Sequence, residues 1–251
     1  MKLQDRVCVV TGGGRGIGEA IARRFAAEGA TLAIWDLNAT AAEAVGGSLG
    51  GTGHACNVGQ RASVEAACAA TLARHGRIDV LVNNAGVAPA GPSETFSDED
   101  WDLAVAVMQT GVFLCSQVVG RHMLERRSGA IVNISSINAW AAFPMRLAYC
   151  ATKAAVVAMT EVLAIEWADR GVRVNAVAPG VTRTEMVQRG IDEGVIDTER
   201  YLARTPLHRF GEPDEIARAV LYLANEEDAA FVTGTTLRID GGWSAQGWIV
   251  R

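Results

Sequence analysis

Five glycines fall within seven residues at Gly12, Gly13, Gly14, Gly16 and Gly18. They follow the apolar run Val7, Val9 and Val10. They precede a helical pattern of Ile17, Ala20, Ile21, Arg24 and Phe25 that stops at Gly29. Few arrangements satisfy such a stretch. The run reads as a buried strand, the glycines as a turn with φ > 0, and the pattern as a helix whose first N–H groups are unpaired. A helix start of this kind attracts an anion through its free donors and its dipole, and glycines let a pyrophosphate come close. The spacing from Gly12 is G-x-x-x-G-x-G rather than G-x-G-x-x-G.

A second strand, Thr31–Asp36, ends in an acid 18 residues after Gly18. An acid there is placed to accept hydrogen bonds from a ribose diol, so the opening reads as a dinucleotide-binding βαβ unit. The alternation continues. Helices are expected over Ala39–Leu49, Ser63–His75, Ser97–Arg126, Leu147–Arg170 and Pro213–Leu223. Strands are expected over Gly53–Val58, from Ile78, from Ala130, from Gly171 and over Thr236–Asp240. Several strands are apolar on both faces, which is how a parallel sheet covered on both sides reads. Right-handed crossovers then give an α/β, doubly wound parallel sheet. The 251 residues fit a single domain, 1–251. The one irregular stretch, Val181–Phe210, mixes glycine, charge and Pro206. It is expected to be a substrate lid over the carboxyl edge of the sheet, where such folds bind ligands.

Composition excludes several other functions. A net charge of −5 argues against nucleic acid and anionic membranes as partners. No uninterrupted apolar run approaches the roughly 18 residues of a membrane span. The start, MKLQDR, lacks a signal-peptide core, so a cytoplasmic location is expected. Five cysteines without C-x-x-C and four scattered histidines suggest neither disulfides nor a metal site.

Tyr149 and Lys153 lie four apart on one helix face, and Ser136 precedes Tyr149 by 13 residues at a strand end. Phenol beside ammonium is sensible chemistry. A free tyrosine titrates near 10, and a neighbouring cation lowers that value. The tuned phenol exchanges a proton with an alcohol or ketone oxygen that a serine hydroxyl holds.

With TGGGRGIG at Thr11, Asp36, NNAG at Asn83, the Ser136–Tyr149–Lys153 set, Asn175, Pro179-Gly180, Thr184 and VTGTTLRIDGG at Val232, the chain resembles a short-chain dehydrogenase/reductase of the roughly 250-residue group. The resemblance spans nearly its whole length. It implies a Rossmann-type fold of strand order 3-2-1-4-5-6-7, a nicotinamide cofactor and a homotetramer. By the same resemblance Gly12, Arg15, Gly16, Ile17 and Gly18 line the pyrophosphate and ribose, and Asp36 takes the adenosine ribose. Asn57 and Val58 lie near the adenine, and Asn83, Ala85 and Gly86 beneath the cofactor. Tyr149 and Lys153 meet the nicotinamide ribose, and Pro179, Gly180, Thr182 and Thr184 its nicotinamide side. Two positions depart from the family pattern. Asn57 replaces an aspartate. Met108 stands three residues before Gly111, where the family carries an asparagine that holds a relay water. A thioether accepts weakly and donates nothing. Gln109 lies about 100° further round the helix and is no substitute.

The expected activity is hydride transfer between NAD, favoured over NADP by Asp36, and a secondary alcohol or ketone such as a sugar, polyol, diol or hydroxy acid. Two alternatives stand beside it: a nucleotide-binding sensor or scaffold that has lost turnover, for which Met108 speaks, and a reductase of carrier-protein-bound 3-ketoacyl groups. Asn138, Trp140, Phe143 and Val181 are candidate substrate-pocket residues. Arg183, Arg189, Arg200 and Arg204 lie in or near the lid, either as a solvated face or with one of them on an anionic group. The tail Trp243–Arg251 is too apolar for a free end and is expected to dock at a subunit interface.

Overall fold

The computed structural model describes residues 1–194 and 196–247. Strand β1 (Val7–Thr11) lies at the centre, buried along its whole length. It pairs in parallel with β2 (Thr31–Asp36) on one side and β4 (Val80–Asn83) on the other, so that Val9 lies opposite both Ala33 and Leu81. With β3 (Thr52–Ala55), β5 (Gly129–Ile134), β6 (Val172–Pro179) and β7 (Thr236–Ile239), the sheet has seven parallel strands in the order β3-β2-β1-β4-β5-β6-β7. The order reverses between β1 and β4, and this is where an α/β sheet of this kind opens a ligand crevice at its carboxyl edge.

Strand pleating sends alternate side chains to opposite layers. Val10, Ile34, Val82 and Val132 pack under α1 (Gly16–Ala27) and α9 (Pro213–Ala224), through Ile21, Phe25, Ile216 and Val220. Val9, Ala33, Leu81 and Ile131 pack on the other side under α3 (Arg61–His75), α5 (Gly111–Arg126) and α6 (Leu147–Trp167). The helical runs 98–126 and 147–170 are long and apolar enough to cross a membrane by length and composition. Both nonetheless pack on the sheet, through residues such as Leu114, Val119, Ala164 and Trp167.

Three elements differ from the expectation. Strand β3 stops at Ala55 instead of Val58, because the Asn57 side-chain Oδ1 accepts from Gly59 N (3.1 Å) and turns the chain away. The long helix from Ser97 is not continuous. It runs as α4 (Asp98–Val105), then a π turn over Ala106–Thr110 in which Gly111 N donates to Ala106 O, then α5. The lid is not irregular either. It holds two helices, α7 (Glu185–Asp192), capped by the Thr184 hydroxyl, and α8 (Thr198–Arg204), capped by the Asp197 carboxylate. Its ends are pinned by Arg183 N to Gly211 O (2.8 Å) and Gly211 N to Val181 O (3.0 Å). Both helices start at a capping side chain, and none of their residues is buried.

Candidate active site

The glycine turn is built as its sequence demands. Gly12 and Gly16 both have φ of 60°. A Cβ on Gly12 would stand 2.8 Å from Ala85 Cα, and one on Gly18 2.2 Å from Gly12 O. Helix α1 begins with no side-chain cap, so its first N–H groups face the loop unspent. Asp36, at the end of β2, accepts from Gly14 N and Asn38 N (2.9 Å each), which fixes its carboxylate beside the turn with lone pairs to spare. A cleft of about 490 Å³ opens between the start of α1 and the start of the lid, lined by Gly16, Arg183, Thr184 and Gln188. An uncapped helix start, a turn with no room for side chains and an acid behind it fit a dinucleotide.

Asn84 is a residue that sequence reasoning left without a role. Its amide donates to Thr11 O and Gly12 O (3.0 Å each), and Thr11 Oγ1 accepts from Asn84 N and Ala85 N. These bonds tie the end of β4 to the glycine turn. The second amide of the NNAG run was the available signal. Asn83 turns inward instead, donating to Ser116 Oγ (3.0 Å) and Asn133 Oδ1 (2.8 Å), with its own Oδ1 buried and unpartnered. Val58 is buried against Gly111, and the Asn57 oxygen is engaged in its turn. Thr182 donates to Gly180 O (3.1 Å), Gly180 abuts Asp240, and Pro179 closes β6.

The sheet's carboxyl edge brings Ser136, Tyr149 and Lys153 together. Ser136 follows β5, and Asn138 N donates to its Oγ at 3.1 Å. The Asn138 amide reaches Cys150 Sγ (3.8 Å), so Asn138 sits inside the site as a holder of Ser136. Lys153 is buried and its Nζ donates to Ile134 O at 2.7 Å, lying 5.7 Å from the Tyr149 ring centroid. Burial pulls the Lys153 ammonium down to about 8. Burial also pushes the Tyr149 phenol up, opposed by the Ser136 hydroxyl and the Arg146 cation. The expectation that Lys153 lowers Tyr149 is therefore not met in this arrangement. The ammonium is spent on a carbonyl, and the loss of solvent outweighs the nearby charge.

Met108 is fully buried in the π turn, packed with Ala104, Ala148 and Tyr149, its sulfur facing Gly86.

The family model described as "Enoyl-(Acyl carrier protein) reductase" matches residues 12–244. D-threitol dehydrogenase of Mycolicibacterium smegmatis is 46% identical, over 97% of this chain and 94% of its own. A crystal structure of levodione reductase superposes with a TM-score of 0.92 at 36% identity, covering 97% of this chain and 99% of that one. A 3-ketoacyl-(acyl-carrier-protein) reductase from Brucella melitensis, complexed with NADH, does so with 0.90 at 33%, covering 96% and 99%. This chain belongs to the short-chain dehydrogenase/reductase family. It is an oxidoreductase of the dehydrogenase type, with a nicotinamide cofactor.

On the substrate side of this dehydrogenase, Phe143 packs its ring on Tyr201 of the lid (5.8 Å) and on Trp243 (5.2 Å). Trp140 is half exposed under the Arg238 guanidinium. Val181 opens the lid, partly buried, next to Thr182. Trp243, the first residue of the expected docking tail, thus packs its ring against Phe143 and Arg204 of its own chain. Trp248, Ile249 and Val250 of the expected docking tail lie outside the described residues.

Proposed function

We infer that this dehydrogenase transfers hydride between NAD(H) and a secondary alcohol or its ketone. The observation that carries this reading is the meeting of Ser136, Tyr149 and Lys153 at the sheet edge two strands across from an uncapped glycine turn. The bound nicotinamide supplies or accepts the hydride. Gly12, Arg15, Gly16, Ile17 and Gly18 would hold its pyrophosphate, Lys153 its nearer ribose, and Pro179, Gly180, Thr182 and Thr184 flank the ring. Tyr149 passes a proton to or from the substrate oxygen, Ser136 donates a hydrogen bond to that oxygen, and Asn138 positions Ser136.

NAD is preferred over NADP. The Asp36 carboxylate accepts from a ribose diol and repels a 2′-phosphate, a clash of a few kcal/mol or roughly a hundredfold in affinity. A homotetramer in the cytoplasm is part of the same proposal. A panel of secondary alcohols with NAD and NADP, read as reduced nicotinamide, tests it. Turnover with NAD that disappears in Tyr149→Phe, while NADH still binds, is the expected result. NADH binding without turnover until Met108 is made asparagine would favour the sensor.

A further inference from the structure

Four lid arginines differ sharply in what they already hold. Arg183 pairs with Glu212 (3.2 Å) and Arg200 with Asp197 (3.1 Å). Arg189 is exposed. Arg204, at the end of α8, has its Nη1 shut off from solvent with no hydrogen-bond partner among the described residues. Its guanidinium lies 4.7 Å from the Trp243 ring centroid, and the Trp243 indole N–H is also buried and unpartnered. Two orphan donors in contact are costly to leave unmade, and neither can accept. The nearest carboxylate of the C-terminal turn, Asp240, is taken up by Gly242 N (3.0 Å) and Ser244 N (2.9 Å).

The pair belongs to the substrate side of the site. Trp243 stacks on Phe143 and Phe143 on Tyr201 of the lid, and the turn that carries Trp243 starts at Asp240, which abuts Gly180 at the end of β6. An acidic chain thus sets a guanidinium nitrogen, without a partner among the described residues, into this aromatic cluster. Resting on the dehydrogenase reading above, we propose that the substrate carries a terminal oxyanion, a carboxylate or a phosphate, which Arg204 and the Trp243 indole N–H hold while the chain between it and the carbinol lies over Phe143. The guanidinium and the indole N–H are both donors only, and an oxyanion with several lone pairs accepts from both. A neutral polyol would leave the guanidinium charge uncompensated. Arg204 is a specificity residue in this scheme, and Tyr149 remains the acid–base group.

The full-length protein with NADH bound is titrated calorimetrically with malonate, inorganic phosphate and, as neutral control, erythritol. Malonate or phosphate binds and erythritol does not compete. The stronger of the two anions identifies the oxyanion. Arg204→Met weakens the anion by about 10- to 100-fold, as expected for a charge-assisted pair. Arg204→Lys restores part of it, and Trp243→Phe, which keeps an aromatic ring and deletes the donor, weakens it by about threefold or more. In turnover with NAD, the ratio of kcat/KM for 3-hydroxybutyrate to that for its methyl ester falls at least tenfold in Arg204→Met. Equal anion affinity in the natural protein and Arg204→Met, or an unchanged acid-to-ester ratio, overturns the proposal. If no alcohol is oxidised, the dehydrogenase reading fails while the titration still decides the anion site. If neutral alcohols turn over and neither anion binds, the oxyanion site fails alone.

Discussion

Tyr149 is a raised phenol and Lys153 a lowered ammonium, and the signs have consequences. A phenol whose pKa is pushed up is protonated at neutral pH. It is ready to give a proton in ketone reduction and must lose one before it can accept a proton in alcohol oxidation. Reduction kcat/KM should therefore be flat near neutrality and fall at high pH, whereas oxidation kcat/KM should climb from pH 7 to 10. Parallel profiles for the two directions would contradict this. Lys153 adds a stability signature. Its folded value near 8 lies below the ordinary 10.5, so the unfolded chain binds the extra proton between those values. Stability from this group rises with pH across that window, and below it the buried charge costs about 3 kcal/mol. Cys56 and Cys68, pushed up to about 11 by burial, act in the opposite direction above 9. The test is therefore a difference. Urea unfolding from pH 8 to 10 should show a rise in the natural protein relative to Lys153→Met, and identical pH slopes would refute it. The Tyr149–Lys153 pair was legible as a spacing. Its electrostatics were not, because burial and the claim of Ile134 O on the ammonium are tertiary facts.

At the scale of elements, the strands were legible because a buried parallel strand needs apolar residues on both faces, as in Val9–Val10 and Leu81–Val82, whereas their order came from the resemblance to the family. The lid helices were not, since they are short, charged and held by caps at Thr184 and Asp197 more than by an apolar stripe. The π turn was equally hidden. It lies where Gly111 closes on Val58 and Gly59 approaches Ala106 O, contacts between segments far apart in sequence. Such a turn shifts the backbone hydrogen-bond pattern locally and recurs at functional sites. Proton relay through a backbone carbonyl there does not depend on the side chain, so Met108→Asn should change kcat by less than roughly tenfold. It should, however, bury an amide among Ala104, Ala148 and Tyr149, and cost about 1–3 kcal/mol in chemical denaturation. A gain in kcat of a hundredfold would mean that the side chain, not the backbone, carries the relay. At the opposite edge of the sheet, Asp79 accepts from Val7 N (2.9 Å), Arg77 (2.8 Å) and Arg126 (2.8 Å), tying β1, β4 and α5 together. Burial works to raise this carboxyl, but the two arginines and the amide together hold it below its ordinary value. Its stabilisation is present above that ordinary value and is lost as pH falls toward the lowered one. Asp79→Asn should lower stability at pH 7 by about 2–4 kcal/mol, with the loss shrinking in acid.

At the scale of the whole molecule, three helices carry exposed apolar side chains. α4, α5 and α6 lie side by side, and their outer faces expose Trp101 (39%), Phe113 (45%), Val162 (49%) and Ile165 (81%). The inner faces of α5 and α6 are committed to the sheet, and that of α4 to Met108 and Ala148 through Ala104. The proposed homotetramer would cover these side chains, since a second copy of the same chain offers the same surface. Each Ile or Phe buried there contributes about 1.5–3 kcal/mol, and closed symmetry repeats the gain in every subunit. Sedimentation at micromolar concentration should therefore give a four-subunit species. The double variant Phe113→Glu with Ile165→Glu should give a smaller species with unchanged far-ultraviolet circular dichroism, since neither side chain is in the core. Deleting residues 247–251 separates this surface from the tail. If the patch carries assembly, the truncated protein still sediments as the larger species, whereas dissociation on truncation would move the interface to the C-terminus. A natural protein that sediments as a monomer would rule out both.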